Sequence, residues 1–85
     1  MDWSKASEVV FIAVNLASKY PGKIPMTDVY GIINAVESKN EVQFTEHLYW
    51  ILRAIHANNL LSDPQALKMF DLVEEMSEEH GLGEG

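Results

Sequence analysis

The sequence predicts an all-α protein, a small four-helix bundle built from two helical hairpins. Three observations lead to this class: apolar residues recur at the spacing of a helix face, capping and stop signals divide the chain into four such stretches, and no stretch shows the sustained alternation of a half-buried strand. Eighty-five residues, 47 % of them apolar, suffice for one compact domain. We expect this domain to span residues 1–81 and residues 82–85 to form a flexible C-terminal tail.

The first predicted helix spans residues 4–20. Pro21 and Gly22 end it, because proline cannot continue the helical hydrogen-bond ladder and disfavours helical geometry in the residue before it. Residues 9–12 are rich in strand formers, but the alanines and the leucine around them favour a helix.

The second predicted helix spans residues 27–38, with Thr27 as its N-cap and Asp28 placed to complement the helix dipole. Its apolar residues fall on one side at about 100° per residue, as in an amphipathic surface helix. These residues are Met26, Val29, Ile32, Ile33 and Val36.

The third predicted helix ends near Asn58 and has two candidate starts. It can be capped either by Asn40, with Gln43 three residues later, or by Thr45. Its main apolar stripe has the spacing of a core-facing helix. The stripe consists of Phe44, Leu48, Ile51, Leu52 and Ile55.

The fourth predicted helix has the clearest start signal in the chain. The signal is either an N-cap at Asp63 followed by Pro64 at the first helical position, or a capping box that begins at Ser62. The helix runs to His80, and Gly81 is its C-cap glycine. We expect its buried side to be Ala66, Met69, Phe70, Val73 and Met76, and its outer side to be Asp71, Glu74, Glu75, Glu78 and Glu79.

Charge is spread unevenly along the chain. Thirteen Asp and Glu residues against six Lys and Arg give a formal net charge of -7, and residues 63–85 carry seven of the acids with Lys68 as their single base. This balance opposes attraction to a phosphate backbone, so we expect no direct nucleic-acid binding. The outer side of helix 4, called the acidic face below, is either a solvated surface or a docking surface for a basic partner.

The sequence lacks the residue patterns of common catalytic and metal sites. It has no cysteine, no Glu-x-x-His motif, no two histidines one helical turn apart and no glycine-rich phosphate loop. We therefore expect no catalytic residue, no cofactor and no metal, and a hydrolase-like site built from His56 and Tyr49 is the least favoured hypothesis. The apolar run at residues 9–17 lacks a positive flank and is too short to cross a bilayer, which predicts a cytoplasmic chain without membrane contact.

Two aromatic residues lie on the polar sides of their predicted helices. Phe11 projects about 160° from the centre of the apolar stripe of helix 1, and Trp50 projects about 145° from that of helix 3. Trp50 is aligned with Ala54 and Ala57 and lies beside Arg53. Aromatic side chains next to small residues and an arginine are typical of interface anchors. We expect these five residues, together with the acidic face, to bind a protein partner, the alternative being that both rings fold back over the core.

Residues 24–63 resemble the helix-turn-helix part of winged-helix domains. The resemblance is carried by MTDVY at residues 26–30 and by LRAIHANNLL at residues 52–61, which would close the recognition helix. No strand-Gly-strand wing follows Leu61, and the would-be recognition helix carries Glu46 and His47 with a single arginine. The resemblance therefore implies a winged-helix-like helical domain without a wing, acting in protein contact or dimerisation.

These features predict a small acidic protein, not an enzyme, that binds a protein partner and occludes a basic site on it. Inhibitors, immunity or antitoxin-type proteins and regulatory adaptors act in this way. In this hypothesis the acidic face steers association and Trp50 provides the anchor. The alternative is a homo-oligomeric structural or regulatory protein of winged-helix type, such as a homodimer, in which Trp50 and Phe11 are subunit contacts.

Overall fold

A computed structural model describes residues 1–80, with the side chains of residues 1–78, and confirms the small all-α helical bundle. These residues form four α-helices and no strand, so they contain no wing. The elements are α1 (Trp3–Lys19), α2 (Met26–Ser38), α3 (Glu41–Ala57), a short 3-10 turn (Leu60–Ser62) and α4 (Pro64–His80). The predicted C-cap Gly81 and the predicted tail at residues 82–85 lie outside the described residues.

Two of the predicted helix starts are confirmed by side-chain caps. The Asn40 side chain accepts a hydrogen bond from the backbone nitrogen of Gln43 at 3.0 Å, which selects Asn40 over Thr45 as the cap of α3. Asp63 flanks α4, and its Oδ1 accepts a hydrogen bond from the backbone nitrogen of Gln65 at 2.9 Å. Both caps satisfy backbone donors that have no partner inside the helix.

The predicted cap of α2 is wrong. The helix begins at Met26, one residue before Thr27, and its N-cap position is Pro25, which makes no side-chain cap hydrogen bond. Met26 is also wrong as a core residue, since 45 % of its surface is exposed. Met26 is the first helical residue and points away from the core, although Ile24 just before the helix is buried, and the buried residues of α2 begin one turn later at Val29.

The core is formed by one face of each helix. Among residues 1–78, eighteen hydrophobic residues are buried, and the largest fully buried side chains include Phe44, Ile51, Ile55 and Met69. Leu72 is buried although the predicted stripe omits it, and part of the predicted set is only half-buried. The half-buried members are Ile33, Val36, Leu52, Phe70 and Val73.

The four helices do not pack equally. Chain order makes α1 with α2 and α3 with α4 the two hairpins, but α2 packs most extensively on α3, and α1 on α4. Helices α3 and α4 approach each other more loosely, and an apolar groove remains open between them. In the N-terminal turn of α1, Trp3 packs edge-on against Phe44 of α3, with ring centroids 6.2 Å apart.

A buried carboxylate joins the end of α1 to the start of α4. Asp63 is 5 % exposed. The Nζ of Lys19 donates a hydrogen bond to its Oδ2 at 2.8 Å, and the hydroxyl of Tyr20 donates to the same oxygen at 2.6 Å. A buried charge costs little when it is paired and hydrogen-bonded in this way.

Helices α2 and α3 approach closely at a glycine. The ring of His47 lies against Gly31 so closely that a Cβ at that position would overlap the ring. Nδ1 of His47 is 2.9 Å from Oδ1 of Asp28, one turn earlier in α2. This close contact accounts for a glycine in the middle of a helix, where it otherwise costs stability.

Candidate functional site

Trp50 lies in a shallow depression on the outside of α2 and α3, called the Trp50 depression below. Its volume is about 410 Å³. The three residues that the sequence grouped around Trp50 line it with Trp50 itself, together with residues from the α1–α2 loop and the start of α2. The lining consists of Trp50, Arg53, Ala54, Ala57, Gly22, Lys23, Pro25 and Asp28.

Tyr49 and Arg53 hold the exposed Trp50 ring. The Tyr49 and Trp50 rings meet edge to face with centroids 5.1 Å apart, and the Arg53 guanidinium lies 5.8 Å from the Trp50 centroid. Nη1 of Arg53 also donates a hydrogen bond to the Tyr49 hydroxyl at 3.2 Å. Trp50 nevertheless remains 53 % exposed, so it does not fold back into the core of its own chain. Contacts with both neighbours restrict the ring before any partner arrives.

Part of this site carries no signal in the sequence that marks it as a binding surface. Tyr49 and Arg53 are four residues apart on one helix, a spacing that could have indicated their contact. Lys23 and Asp28 come from another part of the chain, and no local pattern links them to Trp50. Lys23 adds a second cation beside Arg53, and Asp28 adds a carboxylate. The Trp50 depression therefore carries charges of both signs.

The acidic face lies along the exposed side of α4. Asp71, Glu74, Glu75 and Glu78 together line a hollow of about 210 Å³. Glu75 forms an ion pair with Lys5 of α1 at 3.4 Å. Within residues 1–78, no ion pair involves the other three carboxylates. Glu79, the fifth predicted member of this face, has its side chain outside the described set.

Phe11 forms a separate exposed spot. It is 69 % exposed and, like Trp50, does not fold over the core. It lines a hollow of about 230 Å³ between α1 and α4 with Glu8, Ile12, Gln65 and Lys68. This hollow shares no lining residue with the Trp50 depression or with the acidic hollow, so the predicted binding residues form three distinct surfaces.

A fourth surface, which sequence analysis did not predict, is the apolar opening between α3 and α4. We call it the α3/α4 groove; its volume is about 360 Å³. Its lining residues are Met1, Phe44, Thr45, Leu48, Tyr49, Leu52, Val73, Met76 and Ser77. Several of these were expected to face the core, and helical periodicity alone cannot show that two core-facing stripes meet incompletely.

The described histidines and carboxylates do not cluster as metal ligands do. In the part of the chain that the structure describes, no group of three or more such side chains could hold a metal ion. The helices of residues 1–80 also include none with the length and apolarity that a bilayer span requires.

The chain matches no protein-family model, no curated protein and no solved structure.

Proposed function

We propose that this chain is a small acidic protein that binds a protein partner with a basic surface and occludes that surface by contact alone. One observation carries the proposal: Asp71, Glu74, Glu75 and Glu78 are gathered on one exposed face of α4. Glu74 and Glu78 are one turn apart, and such like-charged pairs destabilise an isolated helix by a few tenths of a kcal/mol. A surface kept at this local cost is consistent with a role in attracting positive charge.

The acidic face and Trp50 contribute at different stages of association. Charges act over about 8–10 Å at physiological ionic strength, so carboxylates on α4 raise the rate of encounter even where they are not in the final contact. Trp50 supplies the short-range contact, because partly exposed aromatic rings beside an arginine are common binding hot spots. Inhibitors, immunity or antitoxin-type proteins and regulatory adaptors use this combination of steering and anchoring.

The proposal is tested by neutralising the acidic face without changing the fold. Baits of wild-type chain, E74Q/E78Q and W50A are used to capture partners from the native source, and association rates of the purified partner are then measured against salt. E8Q/E37Q, which removes two exposed carboxylates from α1 and α2, is the matched control. We expect the association rate to fall steeply with salt for wild type and control, and to be lower and flatter for E74Q/E78Q.

The W50A bait separates the anchor from the steering surface. Because about half of Trp50 is exposed, we expect this variant to fold normally, to associate at nearly the wild-type rate and to dissociate faster. A partner captured equally by all four baits, with salt-independent rates, would contradict the proposal.

The second candidate function is homo-oligomerisation through Trp50 and Phe11, which the exposure of both rings favours. In that case W50A or F11A would convert an oligomer to a monomer in light scattering. A wild-type chain that is already monomeric would exclude this candidate.

A further inference from the structure

We propose that the α3/α4 groove binds the apolar face of an amphipathic helix whose polar face is basic, supplied by the protein partner. This inference rests on the proposed function, because it names the element of the partner that the acidic chain receives.

The base of the groove is preformed. Phe44, Leu48 and Met76 line it and are also core residues, with exposures of 0 %, 6 % and 2 %. All three belong to the buried core cluster, and Phe44 also packs against Trp3 of α1, so the base of the groove is held in place before any ligand binds. Apolar side chains at successive turns of a bound helix contact such a groove at positions i, i+3 or i+4, and i+7.

Both edges of the groove carry carboxylates. On α4, Val73 and Ser77 line the groove, and helical geometry places Glu74 about 60° beyond Ser77 on the solvent side, with Glu78 further out. On α3, Thr45 lines the groove and also borders a second hollow with Glu41, Val42 and Glu46. The α-ammonium group of Met1, which also lines the groove, pairs with Glu41 at 3.6 Å, so Glu46 supplies the α3 edge with its remaining negative charge. An apolar base between these edges complements a helix that is apolar along one side and basic along its flanks.

Charge also decides between a foreign helix and a second copy of this chain. The formal net charge is -7, and a second copy would bring its own acidic α4 towards the same carboxylate edges. Like charges placed face to face across an interface oppose binding. A basic helix from another protein removes this repulsion and replaces it with attraction.

The test uses a synthetic peptide of about 18 residues with leucines at helix-face spacing and lysines elsewhere. A scrambled peptide of identical composition controls for charge alone. Dissociation constants are measured by calorimetry at fixed salt, and the contact residues are mapped by backbone amide chemical shifts. We expect the amphipathic peptide to bind at least about tenfold more tightly than the scrambled one and to shift amides along the groove.

Two variants on opposite walls obstruct the groove. S77R on α4 and T45R on α3 each place a long cationic side chain at its lining, and S18R adds the same charge on the exposed side of α1. Circular dichroism checks that all three variants fold. If one of the two groove variants does not fold, the other one alone tests the groove. We expect a loss of affinity of about tenfold or more for S77R and T45R and of less than about twofold for S18R.

Three outcomes would overturn the proposal. Equal effects of S77R, T45R and S18R, or equal binding of the two peptides, would show that only net charge is sensed, and the proposed function would stand without the groove. Amide shifts confined to the Trp50 depression would move the helix-binding surface there. A wild-type dimer in sedimentation equilibrium that S77R dissociates would identify the occupant as a second copy. Failure of the proposed function is distinguishable, because it shows as unchanged partner association by E74Q/E78Q whatever the peptides do.

Discussion

At the scale of single residues, Asp63 connects two helix ends that are more than 40 residues apart in the chain. The hydrogen bonds from Lys19, from Tyr20 and from the backbone of Gln65 favour its charged form and lower its pKa from 3.8 to about 2. The same contact with Asp63 raises the pKa of Lys19 and of Tyr20. One carboxylate therefore caps α4 and fixes the end of α1 beside it.

The lowered pKa of Asp63 predicts a pH-dependent stability. The unfolded chain takes up a proton near pH 3.8, whereas the folded chain resists protonation until about pH 2. The stabilisation is therefore complete above the unfolded pKa and is lost as the pH falls towards and through 2. D63N keeps a capping oxygen but loses the charge, so we expect it to melt several degrees below wild type at neutral pH and the gap to close in acid.

Thermal unfolding followed by circular dichroism from neutral pH down to about pH 2 checks this prediction. E37Q, which neutralises an exposed glutamate on α2, is the control for net charge. A difference in melting temperature between D63N and wild type that stays constant with pH would show that the Lys19–Asp63 ion pair does not stabilise the fold.

The contact between Gly31 and His47 predicts that replacing this helical glycine with alanine lowers the free energy of unfolding instead of raising it. In an unobstructed helix, Gly→Ala raises the free energy of unfolding by roughly 0.5–1 kcal/mol. In G31A the new methyl group overlaps the His47 ring, and overpacking costs about 1–3 kcal/mol. We expect G31A to be destabilised in urea unfolding.

The H47A background isolates the cause of that effect. Removing the ring makes room for the methyl group, so we expect G31A to be neutral or stabilising when it is introduced into H47A. An equal destabilisation in both backgrounds would show that the ring is not what excludes a side chain at this position.

At the residue scale, the sequence predicts contacts between neighbours along the chain but not contacts between distant residues. The Asp63 cap could be predicted because its signals, Asp63 and Pro64, are adjacent. Its partners Lys19 and Tyr20 are more than 40 residues away, and no pattern marks them as such. Met26 has the right spacing for the buried side of α2 but is exposed, because periodicity alone cannot show which end of an apolar stripe the neighbouring helices cover.

At the scale of elements, α4 combines two opposed faces. One side buries Ala66, Met69 and Met76, and the opposite side carries the acidic face. Stability of such a helix comes from tertiary packing of the apolar side and not from its surface charges. The charges are thus free to be changed without loss of the fold.

E74Q/E78Q should therefore stabilise the chain slightly. It removes the like-charged pair Glu74–Glu78 and the repulsion of these carboxylates by Asp71 and Glu75, so we expect the free energy of unfolding to rise by a few tenths of a kcal/mol at low salt. Added salt screens the repulsion and should reduce this gain towards zero. Urea unfolding at two salt concentrations measures it, with E8Q/E37Q as the control, and a gain that persists at high salt would point to a cause other than charge.

Element order and type could be predicted from the sequence because caps, stop signals and apolar stripes are local. Helix pairing could not, since every helix has one apolar stripe and the stripes alone do not choose partners. The extensive packing of α2 on α3 and the looser approach of α3 to α4 emerge only in three dimensions. The α3/α4 groove, which depends on that difference, therefore had no sequence signal.

At the scale of the whole molecule, the bundle is compact despite its groove. Its radius of gyration is 11.8 Å, close to the roughly 12 Å expected for a compact chain of this length. The groove is thus a feature of a well-packed molecule and not a sign of an expanded one.

The free chain should be monomeric. A net charge of -7 on 9.6 kDa opposes self-association at low salt, and we expect light scattering to give the monomer mass over a wide range of concentration. A doubled mass that W50A abolishes would instead support subunit contact through Trp50. Mass measured at high salt distinguishes a true monomer from a chain that only charge repulsion keeps monomeric, because screening weakens that repulsion and allows a dimer to form.

Because Trp3 packs edge-on against Phe44, the fluorescence of Trp3 can report ligand binding in the α3/α4 groove. Phe44 contacts Trp3 and also lines the α3/α4 groove, so a helix bound in the groove lies one aromatic ring away from the indole and alters its surroundings. The chain has two tryptophans, and W50F leaves Trp3 as the sole indole emitter. Its emission maximum would then report occupancy without any attached dye.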